Sequence, residues 1–186
     1  MVNAALTFPP IVWRSNAPEC AVRPARSGPG GPGGEVELWR KLREQGGVDA
    51  VDFDLRASGP LWPSSDWAAI EVWTEAELCG LHGLWRAMRM AGEQGAAIRR
   101  RLGAAVAWHL EHTQPDNATN RPWAVHVFLL HGPEGTMGRE GRADARLYAE
   151  TLVHNAQAQG NADPASLWIL ADAARELEWV LQATGA

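Results

Sequence analysis

Ala96-Ala97-Ile98-Arg99-Arg100-Arg101-Leu102-Gly103-Ala104-Ala105-Val106-Ala107-Trp108-His109-Leu110-Glu111-His112 is followed by a polar corner, Thr113–Asn120, and then by the apolar run Pro122–Leu130. Ile98, Leu102, Ala105 and Val106 recur at helical spacing, so residues 96–112 are expected to form an amphipathic helix. At 100° per residue His109 falls in the middle of that apolar stripe and His112 at its edge, while Glu111 points away. A histidine so placed faces the interior, where its ring nitrogens need partners. The segment Trp108–His131 holds four of the six histidines, which makes it the place where a site is expected.

Beyond the corner, Pro122 opens a further helix with Asn120 as its cap. Trp123–Leu130 is apolar nearly all round, broken by His126. Val125–Phe128 also reads as a buried strand, but the flanking segments are helical and no second long strand exists to pair with it. Gly132–Gly141 is expected to be a flexible connection. Residues 144–159 then place Ala145, Tyr148, Ala149, Leu152 and Ala156 on one face, with Asn155 flanking Tyr148 and His154 opposite. Asp163-Pro164 starts the last helix, whose buried stripe is expected to be Leu167, Leu170, Ala174, Leu177 and Leu181, flanked by Trp168 and Trp179.

Toward the N-terminus, Thr74-Glu75-Ala76-Glu77 has the form of a capping box, with Leu78, Leu81, Trp85 and Met88 following on one face. Gly80 and Gly83 are costly in such a helix unless a neighbour approaches closely there or room is needed beside His82. Gly92 and Gly95 mark the turn to the next helix. Asp66 or Ser65 is expected to cap a short helical turn through Trp67-Ala68-Ala69-Ile70. Val51, Phe53 and Leu55 alternate with Asp52, Asp54 and Arg56, as in a short strand or extended edge; the glycine and distal glutamate of a calcium loop are missing. Glu35–Gln45 reads as a short helix stopped by Gly46-Gly47. Residues 1–34, with Gly28-Pro29-Gly30-Gly31-Pro32-Gly33-Gly34, read as a flexible tail and linker. The expectation is an all-α fold of about six helices in antiparallel hairpins, a half-toroid-like or irregular bundle. It comprises one domain over 35–186 with its core in 74–183.

Composition limits the function. A net charge of −5 without a basic face disfavours nucleic-acid binding. Three adjacent arginines, 99–101, point in different directions around a helix and read as a solvated face. No run approaches the roughly 20 apolar residues of a membrane helix. Pro9 and Pro10 interrupt any leader-like stretch, so a cytoplasmic protein is expected. Cys20 and Cys79 have no metal-site or disulfide spacing. Asn117-Ala118-Thr119 matches a glycosylation sequon by chance. Neither a phosphate loop, a serine elbow nor a paired Cys–His motif is present.

From Trp62 to Leu181, about two-thirds of the 186 residues, the chain resembles a bacterial, planctomycete-type helical family without an assigned function. The resemblance rests on Trp73-Thr74-Glu75, on His109–Trp123 and on Tyr148-Ala149-Glu150-Thr151-Leu152 with His154-Asn155. The hairpins also resemble those of α/α toroids, the layout of terpene cyclases and of several polysaccharide-degrading enzymes. The cyclases' Asp-rich motif is absent, and six helices make half of a twelve-helix toroid.

Three readings of the corner stay open. In the first, His109, His112 and His126 hydrogen-bond the Gln114–Asn120 loop and hold helices together. In the second, tryptophans such as Trp123 stack a small molecule or glycan, with Asp116, Asn117, Asn120, Tyr148, Asn155 and His109 as polar contacts. A lyase- or hydrolase-like version, which the toroid resemblance implies, has His109 or His126 as base, Tyr148 as acid and Arg121 on an anionic group. In the third, His109 and His112 share a metal ion with Asp116 or His126, although His-Leu-Glu-His is not the zincin spacing. The sequence favours a binding or scaffolding module that takes a small molecule, a glycan or a protein partner and needs no cofactor.

Overall fold

The computed structural model describes residues 54–66, 69–113, 119, 121–131, 139–158 and 164–184. These are all-α: no strand occurs among them. After a 3₁₀ turn at Ser64–Asp66 come α1 (Ile70–Met90), α2 (Gly95–His112), α3 (Val125–His131), α4 (Arg139–Ala158) and α5 (Pro164–Thr184). The sixth expected helix, 35–45, and the tail and linker of 1–34 lie outside the described residues. No described helix is long and apolar enough to cross a membrane.

The seven-residue α3 packs against all four longer helices. Its sequence explains that position, since a helix apolar on every side has no face to give to water. Trp123, Val125, Val127 and Phe128 are each at most 1% exposed. The helix begins later than Pro122 predicts because Ala124 adopts a positive φ of 58°. From there its carbonyl accepts the amides of Val127 and Phe128 at 2.9 and 3.1 Å. The segment 125–128 is thus helical, as the missing strand partner implied.

Around α3, the α1 and α2 stripes are buried where expected: Leu78, Leu81, Trp85 and Met88 on one, Ile98, Leu102, Ala105 and Val106 on the other. Gly92, at φ +51°, turns the chain between them. Tyr148, Ala149 and Leu152 of α4 complete the core from the other side.

Several local expectations are corrected. The first long helix starts at Ile70, capped by extended Ala69, and not at Thr74. Thr74 lies inside it and donates back to the Ile70 carbonyl at 2.9 Å, while Glu77 turns away to other partners. Leu55 lies in a turn, with the Ala57 amide on the Asp54 carbonyl at 3.2 Å, and not in a strand. The segment read as the connection Gly132–Gly141 is helical from Arg139.

The last helix is rotated from its leucine stripe. Leu167 and Leu181 are 45% and 53% exposed, whereas Ser166, Ile169, Asp172, Ala173 and Glu176 are buried. Long polar side chains set that rotation, joining α5 to α1 along a parallel ladder. Asp172 meets His82, Glu176 takes the Trp85 indole N–H at 3.0 Å, and Arg89 binds Glu176 and lies 3.7 Å over the Trp179 ring. Burial of a carboxylate requires such donors.

The two helix glycines tested by their surroundings differ in kind. A Cβ on Gly80 would sit 2.6 Å from the Trp62 ring and 2.9 Å from Leu61, so the glycine admits the segment that crosses α1. A Cβ on Gly103 would meet His131 at an ordinary 3.7 Å. Gly80→Ala should therefore lower stability by about 1–3 kcal/mol through overpacking. Gly103→Ala should raise it by up to about 1 kcal/mol through helix propensity. Thermal melts of both variants check the opposite signs.

Candidate functional site

Two buried polar clusters lie beneath the corner. The first centres on Glu77 of α1, whose side chain has no solvent exposure. One carboxylate oxygen accepts the Leu61 amide and the other the Trp62 amide, the latter at 3.0 Å. The Trp62 carbonyl in turn accepts the Trp73 indole N–H at 3.0 Å. From α2, Arg101 donates to the carbonyls of Gly59, at 2.8 Å, and Pro60. A buried acid and a buried base thus hold three consecutive peptide units, 59–60, 60–61 and 61–62. Peptide groups buried outside a helix need such partners.

His109 continues this cluster. Its Nε2 lies 3.5 Å from Glu77, and its Nδ1 lies 3.1 Å from the Thr113 hydroxyl, which is 2.8 Å from the Tyr148 hydroxyl. The result is a chain of polar groups, Glu77–His109–Thr113–Tyr148, spanning α1, α2 and α4. Both ring nitrogens of His109 are engaged and its exposure is zero. The Trp73 ring stacks at 6.0 Å from it, and Phe128 stacks on Tyr148 at 4.2 Å. Burial pushes the Tyr148 phenol up to about 12, against the opposing hydrogen bond from Thr113. The phenol therefore keeps its proton near neutral pH, with its oxygen engaged by Thr113.

The second cluster joins α1, α3 and α5. The Ala124 amide donates to His82 Nδ1 at 3.1 Å, which leaves Nε2 to carry the hydrogen toward Asp172 at 3.2 Å. Asp172 also accepts from Arg175 at 2.6 Å. His126 lies beside His82, with ring centroids 4.5 Å apart. His109 and His126, the two alternative bases of the enzymatic reading, thus belong to different clusters.

The other candidates are dispersed. His112 is exposed and stacks flat on Trp108, at 4.7 Å and 5°, with its Nδ1 donating to the Trp108 carbonyl at 2.9 Å. The nitrogens of His109 face Glu77 and Thr113. Trp123 is buried edge-on to His82 at 5.5 Å and offers no open stacking face. Arg121 is half-buried, and its backbone amide donates to Glu75 at 3.2 Å. Asn155 donates to the Thr119 hydroxyl at 3.4 Å. Asp116, Asn117 and Asn120 lie outside the described residues. Among the described residues no three His, Cys, Asp or Glu side chains are grouped so as to hold a metal ion.

Sequence reasoning missed Glu77, Arg101, Thr113, Asp172 and Glu176. The signal was present for Arg101, which lies four residues before Ala105 and eight before His109 on the buried stripe. Arg99 and Arg100 are exposed, as a solvated face requires, but Arg101 is 2% exposed. Burial lowers the pKa of Arg101, and Glu77 followed by Asp54 acts against that.

Comparison with protein-family models, with curated proteins and with solved structures gives no match.

Proposed function

We propose that this chain is a helical binding or scaffolding module, in which the buried histidines are frame and the outer part of the corner meets the partner. His109 carries this reading: it is wholly buried and both its ring nitrogens are spent on internal groups. A general base must reach the proton that it abstracts, and this one faces only protein. The outer part differs. Trp108 and His112 form a flat aromatic pair at the end of α2, half-buried and exposed respectively. A flat exposed aromatic pair suits a protein edge first and a sugar ring second.

The test compares His109→Gln with His112→Ala. His109→Gln should lower stability by about 1–3 kcal/mol in thermal melts, the cost of buried partners left unpaired. His112→Ala should leave the melt within about 0.5 kcal/mol of wild type. Tryptophan fluorescence, titrated with neutral and uronic-acid hexasaccharides, then reads the surface. A response lost in His112→Ala and kept in His109→Gln supports the glycan reading. If His109→Gln keeps the wild-type melt yet abolishes binding or turnover, the frame reading is wrong.

A further inference from the structure

His126 is wholly buried in α3, and neither ring nitrogen has a hydrogen-bond partner. An imidazole in that state is costly and offers a place for a proton without an acceptor to share it. Its ring stands edge-on to His82 at 4.5 Å and to Trp85 at 5.8 Å. The charged and titratable groups that face it are known from each neighbouring helix. From α1 come His82 and Arg89, and from α5 Asp172; α3 itself contributes His131. Asp172 is held by His82 and Arg175, and Glu176 by Trp85 and Arg89, so neither acid is turned toward His126. From α2, Arg99 acts on His131. From α4, Tyr148 stacks on Phe128, on the other side of α3.

The same place holds the start of α3. Ala124, in its left-handed conformation, gives its amide to His82, and the helix that follows is only seven residues long. A helix of that length depends on its packing for stability.

We propose that the His82–His126–Asp172 cluster is an acid-operated latch: at neutral pH it holds α3 against α1 and α5, and a proton taken up by His126 releases α3. In the closed form the charged ring has only Asp172 to favour it, an acid already engaged by His82 and Arg175, and it gains water in the open form. The direction of the pH dependence follows. Burial, then His82, holds His126 well below the ordinary histidine range, and burial with Arg99 brings His131 to about 4. The open form therefore binds protons that the closed form does not. Closure is fully favoured above about pH 6.5 and weakens as the pH falls below that value. At pH 5.5, one unit below the unperturbed histidine value, His126 alone shifts the equilibrium about tenfold toward the open form. Opening uncovers Trp123, Val127 and Phe128, an apolar surface closed at neutral pH.

The test is hydrogen–deuterium exchange on the full chain from pH 7.5 to 4.5, corrected for intrinsic exchange, read at residues 124–131 and at 98–106. Protection of α3 should fall at least tenfold at pH 5.5 while that of α2 holds. His126→Phe keeps an aromatic ring without a titratable nitrogen and should remove about tenfold of that fall, leaving the part that His131 contributes. Simultaneous loss of protection in both helices, or a wild-type acid profile in His126→Phe, overturns the proposal. Should that variant not fold, the histidine Cε1–H signals of the wild type decide. A His126 signal that titrates near the ordinary value with α3 still protected overturns it, whereas one that titrates together with α3 opening upholds it.

Discussion

Replacing Glu77 with glutamine should cost about 3–5 kcal/mol, the range for removing one member of a buried charged pair. The side chain is fully buried, and its two oxygens receive the Leu61 and Trp62 amides, with His109 on the same oxygen as Leu61. Glutamine keeps the volume but swaps one acceptor for a donor. That donor then faces an N–H, either a backbone amide or His109, and the other oxygen loses its charge. Arg101, which acts electrostatically on Glu77, loses its counter-ion at the same time. In a chain of this size each kcal/mol moves the melting temperature by about 2–4 °C. The variant should thus melt about 6–20 °C below wild type by circular dichroism. Glu71→Gln, at an exposed position of the same helix, is the control and should stay within about 0.5 kcal/mol. A Glu77→Gln melt within 1 °C of wild type, with α1 intact, contradicts the account of the 59–62 crossing.

Glu77 also marks the limit of what local sequence pattern reveals. Thr74-Glu75-Ala76-Glu77 fits a capping box, yet the amides that claim Glu77 lie 16 and 15 residues upstream. The partners His82 and Asp172 are 90 residues apart, so no window of helical periodicity contains both. Where burial is apolar the sequence is a good guide. Leu78–Met88, Ile98–Val106 and Tyr148–Leu152 lie on the faces their spacing predicts, and His109 faces inward because its neighbours at three and four residues do. Where burial is ionic the same reading errs. Arg101 reads as solvated, and α5 reads as turning Leu167 and Leu181 inward, because charge is normally left in water. The polar corner could supply only half of its meaning from sequence. Its buried members, His109 and Tyr148, are joined through Thr113, which carries no signal beyond its place four residues after His109.

Arg101→Met completes the test of the grip on residues 59–62. Methionine retains the apolar stem but removes donors to the Gly59 and Pro60 carbonyls, so a loss of about 2–4 kcal/mol is expected from two buried, charge-assisted hydrogen bonds. Arg101→Lys should recover only part of it, because an ammonium cannot present the planar fork that meets two successive carbonyls. Arg100→Met, one residue away and exposed, should change the melt by at most about 0.5 kcal/mol. The double variant Glu77→Gln/Arg101→Met decides whether the two charges act as one device. They hold opposite groups of one short segment, the carbonyls of 59 and 60 and the amides of 61 and 62. Once either is lost the crossing loosens, and the second has less left to hold. The double variant should then be more stable than the sum of the single effects implies, by about 1–3 kcal/mol. Urea unfolding of the four proteins gives this coupling directly. Effects that add within about 0.5 kcal/mol show instead that each charge serves its own peptide groups, with no common clamp.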